Sequence, residues 1–185
     1  MTAREQRFES LYREHYAALM RYAARRVAAG HEADVVAETF TIAWKRLDQL
    51  RDGEALPWLY GIARRVLAND RRGRYRRLRL AGRIQADAPG SVDDHAAEVA
   101  RRVDLLAAIE DLPARDRECL RLAEWEQLPP DAAAVAMGCS TVAYKVRLHR
   151  ARRRLAALLT AGDGAAGAPP GQASSPRPSP SGQRY

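Results

Sequence analysis

Arginine supplies most of the chemistry this sequence can offer. From Leu148 to Leu159, LHRARRRLAALL sets Arg150, Arg152, Arg153 and Arg154 beside a stripe of Leu148, Ala151, Leu155 and Leu158 at helical steps of three and four. A second concentration, Arg64, Arg65, Arg71, Arg72, Arg74, Arg76, Arg77, Arg79 and Arg83, has a single acid, Asp70, within it. A guanidinium is planar, forked and permanently charged, so it grips phosphate or a guanine edge through paired hydrogen bonds but does not shuttle protons. Like charges this dense repel one another in a helix that meets only water. The chemistry implied is recognition of a polyanion. The plainer alternative, a solvated face of a helical bundle, accounts for the 148–159 segment taken alone.

Other reactive groups do not assemble. Cys119 and Cys139 are far apart and lack zinc-type spacing to any His or Cys, and His15, His31, His95 and His149 are scattered. There is no Gly-rich phosphate loop and no usable Ser/His/Asp arrangement, so no catalytic residue, metal or cofactor is expected. Both cysteines read as free thiols, Cys119 within a helix and Cys139 at a turn. Lys plus Arg number 31 against 23 Asp plus Glu, for a net charge of +8 over 185 residues. Nucleic acid is the commonest partner of such a chain, and an anionic membrane surface is the other. No apolar run of about 20 residues offers a span, and MTAREQRFESLY lacks a secretory core, which predicts a cytoplasmic protein with no membrane insertion.

The elements that must carry these arginines are helices, since few runs alternate with the period of a strand. Phe8, Leu11, Tyr12, His15, Leu19, Tyr22 and Ala23 make one stripe from Phe8 to Val27, with Gly30 as a C-cap. A second helix is predicted from Glu32 to Leu50 with Val36, Phe40, Ala43 and Leu47 inward, and a third from Pro57 through Arg77 with Trp58, Ile62, Val66 and Leu67 available for burial. Between Leu80 and Glu98 the stripe gives way to AGRIQADAPGSVDDHAAE, the composition of a flexible linker. Four more helices follow from Val99 to Thr160, divided by Pro113, by Pro129 and Pro130, and by Gly138. The tail after Ala161, rich in Gly, Pro and Ser, reads as disordered.

PPDAAAVAMGCSTVAYKVRLHRARRRL carries the punctuation of a helix-turn-helix. Asp131 opens a short helix ending near Met137, Gly138 makes the turn, and Ser140 caps the next helix. There Tyr144, Leu148, Ala151 and Leu155 face the core, and Ser140, Thr141, Lys145 and His149, flanked by Arg147 and Arg150, face out. Side chains near the start of such a helix reach base edges in the major groove, and later basic ones reach phosphate.

FESLYREHYAALMRYAARR, ADVVAETFTIAWKRL and PWLYGIARRVLANDRRGRYRR, followed by DLPARDRECLRL and GCSTVAYKVRLHRARRRL, together resemble an extracytoplasmic-function (group IV) sigma factor of the sigma-70 family. The resemblance runs from Phe8 to Leu159 and implies an all-α fold of two small helical domains. These are sigma region 2 over 1–79, binding core polymerase and the −10 element, and the region 4 helix-turn-helix over 99–160, binding the −35 element. A linker over 80–98 joins them and a disordered tail occupies 161–185. It implies binding to the β′ and β subunits of core RNA polymerase, promoter recognition, and an anti-sigma factor as a possible partner. Asp34 and Glu38, four apart and off the apolar stripe, take the position of the family's polymerase-docking acids. Asn69, Arg71, Arg72, Arg74 and Arg76 take that of the −10 contacts, and Ser140, Thr141, Lys145, Arg147, His149 and Arg150 that of the −35 contacts. Trp58 reads as core rather than as a stacking platform; for Asn69 a base contact and a plain surface position stand level. The chain departs from the family pattern at Ala37, in place of a glutamine, and at Tyr144 and Val146, the latter in place of a serine close to DNA. LPPDAAAV is unusually poor in polar groups for a supporting helix.

Three rivals remain. A stand-alone helix-turn-helix regulator explains the second block but leaves the acidic helix and the arginine-dense segment without a role. A nucleic-acid enzyme lacks visible catalytic residues. A basic scaffold would bind RNA without promoter preference.

Overall fold

A computed structural model describes the backbone of residues 1–51, 53–81 and 96–166, and the side chains of residues 1–51, 53–70 and 103–161. Seven α-helices and one short 3-10 turn account for the regular structure among these, without a strand. The first half comprises α1 (Ala3–Ala24), α2 (Glu32–Lys45), the 3-10 turn Leu47–Gln49, and α3 (Ala55–Ala81). The second comprises α4 (Ala96–Glu110), α5 (Ala114–Glu124), α6 (Pro130–Met137) and α7 (Thr141–Ala166).

Local chemistry explains where the helices begin and end. α1 starts five residues before the expected Phe8 because Thr2 and Glu5 form a capping box: Glu5 N–H donates to Thr2 Oγ1 at 3.3 Å and Thr2 N–H to Glu5 Oε2 at 2.8 Å. Gly30 does not cap α1, which ends at Ala24. At φ +90° it turns the chain into α2, where its N–H donates to Glu32 Oε2 at 2.8 Å. α2 stops at Lys45, before the expected Leu50, and the tighter turn over Leu47–Gln49 keeps Leu47 buried. α3 continues to Ala81 and α4 starts at Ala96, so both ends of the expected 80–98 linker are helical, while its middle lies outside the described residues. α7 likewise runs past the expected boundary at Ala161, and the tail beyond Ala166 lies outside them.

Burial follows the helical stripes, with one exception. Leu11, His15, Leu19, Tyr22 and Ala23 are buried on α1, but Tyr12 sits at the edge of the stripe and is exposed, its ring 4.6 Å from that of Phe40. Trp58 packs partly buried against the core. That core is a single apolar cluster running through both halves: Leu19, Tyr22, Val36, Phe40, Leu59 and Ile62 belong to it, and so do Cys119, Leu122, Ala133, Ala134, Ala136 and Tyr144. A smaller cluster of Leu112, Leu120 and Ala151, flanked by Leu148, Leu155 and Leu158, ties α5 to α7.

Candidate polymerase and nucleic-acid interfaces

α2 separates its apolar and charged residues onto opposite faces. Val35, Val36, Thr39, Phe40 and Ala43 are buried, and Thr39 satisfies its hydroxyl by donating to the Val35 carbonyl at 2.7 Å. Asp34 and Glu38 stand exposed on the other side with Ala37 between them, and no cation pairs with either among the described residues. Asp34, in the first turn, also faces the positive end of the helix dipole. Beside this face Phe8, Tyr12 and Trp44 form an aromatic shelf. The Phe8 and Trp44 rings are 5.1 Å apart, and the Arg4 guanidinium lies 5.0 Å from the Trp44 ring.

α3 carries the arginine-dense segment. Its first half is core, through Leu59, Tyr60, Ile62, Ala63, Val66 and Leu67, and Asn69 is exposed just beyond. Arg71, Arg72, Arg74 and Arg76 continue the same helix, their side chains outside the described residues. Arg64 departs from the reading that grouped it with the phosphate-facing arginines. Its Nε donates to the Ala136 carbonyl at 3.3 Å and its Nη2 to the Met137 carbonyl at 3.2 Å. It thereby satisfies the open C-terminal carbonyls of α6.

The helix-turn-helix is built as its sequence predicts. Gly138 adopts the left-handed conformation, φ 65° and ψ 44°, after Met137, and Ser140 Oγ accepts the Ala143 N–H at 3.2 Å at the start of α7. Tyr144 is a packed residue: it is fully buried and its hydroxyl donates to the Cys119 carbonyl at 3.0 Å. Ala151 is buried, and Leu148 and Leu155 are partly so. Outward lie Ser140, Lys145, His149 and Arg150, all exposed, with Thr141 and Arg147 half-buried. Cys139 is exposed at the turn. Cys119 is buried in α5, and that burial pushes its thiol up to about 11.

Two features of this face were missed by sequence reasoning. Asp116, buried at the base of the groove between α5 and α7, accepts from Arg147 Nη1 at 3.3 Å and also pairs with Arg154, so it holds both guanidinia at the groove's edge. An acid in helix α5 gives no sign in sequence that its partners lie on α7. The second is Val142, 73% exposed one turn before Val146, which is 45% exposed. Both point out of the domain, between the polar side chains named above. Their four-residue spacing was available to signal it.

No helix among the described residues is long and apolar enough to cross a membrane. Nor do any three His, Cys, Asp or Glu among them gather as a metal site would require.

Comparison with known proteins bears on both halves. The family described as sigma-70 region 2 matches residues 11–77, and that described as sigma-70, region 4, matches residues 102–155. The chain is 33% identical over 127 residues to the ECF RNA polymerase sigma factor EcfG of Rhodopseudomonas palustris, covering 68% of this chain and 70% of that protein. It is 30% identical over 150 residues to the ECF RNA polymerase sigma factor SigL of Mycobacterium tuberculosis, covering 79% and 85%. The sigma factor RpoE of Bartonella quintana, solved in complex with the anti-sigma factor NepR, superposes with a TM-score of 0.60 at 26% identity. That superposition covers 84% of this chain and 98% of that one.

Proposed function

The chain belongs to the extracytoplasmic-function sigma factors of the sigma-70 family, and from that premise we propose which residues serve each contact. A sigma factor binds core RNA polymerase and directs promoter-specific initiation, and this chain does so. It works in the cytoplasm, where polymerase and promoter are, and supplies no catalytic residue of its own. The two modules are 1–79 and 99–160, with 80–98 linking them and 161–185 as a tail. Asp34 and Glu38 dock on the β′ subunit. Asn69, Arg71, Arg72, Arg74 and Arg76 hold the −10 element, and Ser140, Thr141, Lys145, Arg147, His149 and Arg150 hold the −35 element. Asp116 positions Arg147 and Arg154 for phosphate. Val142 and Val146 present methyl groups where a thymine methyl would sit in the major groove. An anti-sigma factor is a further partner, as NepR is of the similar RpoE.

The observation that carries the polymerase assignment is the exposed, unpaired Asp34 and Glu38 on a helix whose other face is wholly committed to the core. In vitro transcription from a genomic fragment library with core polymerase tests it. New start sites sharing two upstream elements are expected with the unmodified chain, and none with Asp34→Lys/Glu38→Lys at unchanged helix content. Undiminished transcription by the double variant removes both acids from the interface. Replacing each thymine of the −35 element by deoxyuridine should weaken binding by the unmodified chain and leave Val142→Ser/Val146→Ser indifferent.

A further inference from the structure

Where the two halves meet, Gly61 lets α3 pass close to α6, a Cβ there standing 3.3 Å from the Ala136 carbonyl oxygen, and Arg26 donates to Glu118 and to Glu126. Val142 and Val146 take no part in either apolar cluster. At about 100° of turn per residue, both lie opposite the stripe of Tyr144, Leu148, Ala151 and Leu155 that holds α7 to its domain. They therefore occupy the middle of the outward face, not its margin. Neither serves the fold there, since β-branched residues are indifferent helix formers. Val142 is the second residue of α7, at the end of a recognition helix that meets base edges.

A single exposed apolar residue needs no explanation. Two on one face, with hydrogen-bonding side chains only around them, specify a chemistry. The major-groove edges of the four bases carry donors and acceptors and one apolar group, the methyl on C5 of thymine. A valine side chain has neither donor nor acceptor, so it does not sense the group on C4, which is a carbonyl in thymine and an amine in cytosine. What it senses is whether C5 carries a methyl, and 5-methylcytosine presents the same methyl at the same place. Arg150, one turn beyond Val146 and exposed on the same side, adds a forked donor that suits guanine O6 and N7. A methylated C·G pair offers a methyl and a guanine edge together, whereas a T·A pair offers the methyl alone.

We propose that region 4 reads C5-methyl groups and not thymine as a base, so that 5-methylcytosine is accepted in the −35 element and cytosine methylation there strengthens the promoter. The inference rests on the sigma-factor reading above and on the placement of α7 in the major groove. One helical turn separates the two valines by about 6 Å along the axis, close to two base-pair steps of about 3.4 Å each. The methyls they meet therefore belong to pyrimidines about two pairs apart. Burying one methyl is worth about fourfold in affinity, and two about fifteenfold. A cytosine at either place makes a promoter that is weak when unmodified and strong once methylated, with no change in its sequence.

The test titrates the chain, bound to core polymerase, with duplexes built on a fragment from which it initiates. Each pyrimidine of the −35 element is presented in turn in four forms: thymine and deoxyuridine paired with adenine, and 5-methylcytosine and cytosine paired with guanine. At two positions about two pairs apart, the methyl should tighten binding about fourfold whichever pair carries it, and transcript yield should rise with it. Val142→Ser/Val146→Ser should lose the increment in both pairs at unchanged helix content. An increment confined to one of the two pairs means that the group on C4 is read, and overturns the inference. So does the absence of any increment, and so does one that the serine variant keeps, since it then belongs to another residue or to the shape of the DNA. Initiation by the unmodified chain on no fragment at all overturns the sigma-factor reading and the inference with it.

Discussion

Region 2 supplies most of the core that the two halves share, with Leu11, Leu19, Val36, Phe40, Ala43 and Leu47 on α1, α2 and the turn that follows. Region 4 supplies far less. Its separate cluster holds only Leu112, Leu120 and Ala151 as buried members, while Cys119, Leu122, Tyr144 and the alanines of α6 belong to the cluster shared with region 2. A helix of eight residues whose buried positions are all alanine brings little area to bury but allows a close approach. Region 4 therefore depends on its neighbour for packing, and region 2 depends much less on region 4.

That asymmetry can be broken or sharpened by substitution. Leu122→Ala, in the shared cluster, should cost about 2–5 kcal/mol, read as a lower urea midpoint. Hydrogen exchange should then quicken in α6 and α7 well before α1 and α2. Quickening confined to α5 would mean that the halves pack independently. Gly138→Ala should cost about 1–2 kcal/mol because a Cβ is strained at φ +65°, and Gly138→Asn should recover part of it. Thr2→Ala should cost about 1 kcal/mol through the lost cap and leave exchange in α6 untouched. Last comes the effect of alkaline pH. Burial raises the Cys119 thiol from an ordinary 9.0 to about 11 and Tyr60 from 10.0 to about 12. Folding favours the neutral form of each, so the Cys119 contribution is whole below pH 9 and lost as pH climbs through about 11, and that of Tyr60 is whole below pH 10 and lost as pH climbs through about 12. The urea midpoint should fall over that window, and in Cys119→Ala it should fall less.

Much of each half was legible because the signals are local. Gly138, Ser140 and the Tyr144, Leu148, Ala151 and Leu155 stripe lie within one short segment, and turn, cap and core face follow from their spacing. The exposure of Asp34 and Glu38 was legible for the same reason, as two acids off a clear stripe. The face between the halves was not. Periodicity says that a helix has an apolar side but not which other side will cover it. Arg64 looks like any member of an arginine-rich run until its two carbonyl partners are known. Arg26, Glu118 and Glu126 are ordinary surface types separated by about a hundred residues, and nothing in their neighbourhoods marks them as partners. Thr2 and Glu5 were a different failure, since the capping-box spacing was present in TARE and only the start of the apolar stripe was used.

The distance along the chain between those partners also sets a timetable for the newborn protein. Arg26 must wait 92 residues for Glu118 and 100 for Glu126. At a ribosome's pace of about 5–20 residues per second, that is roughly 5–20 s. Throughout that interval α1, α2 and α3 can pack on one another, while Tyr22, Tyr60 and Gly61 face solvent uncovered. Each molecule thus begins life with the exposed acids of α2 in place and the face that α5 and α6 will cover still open, and the two halves can first meet only when the last third of the chain has been made.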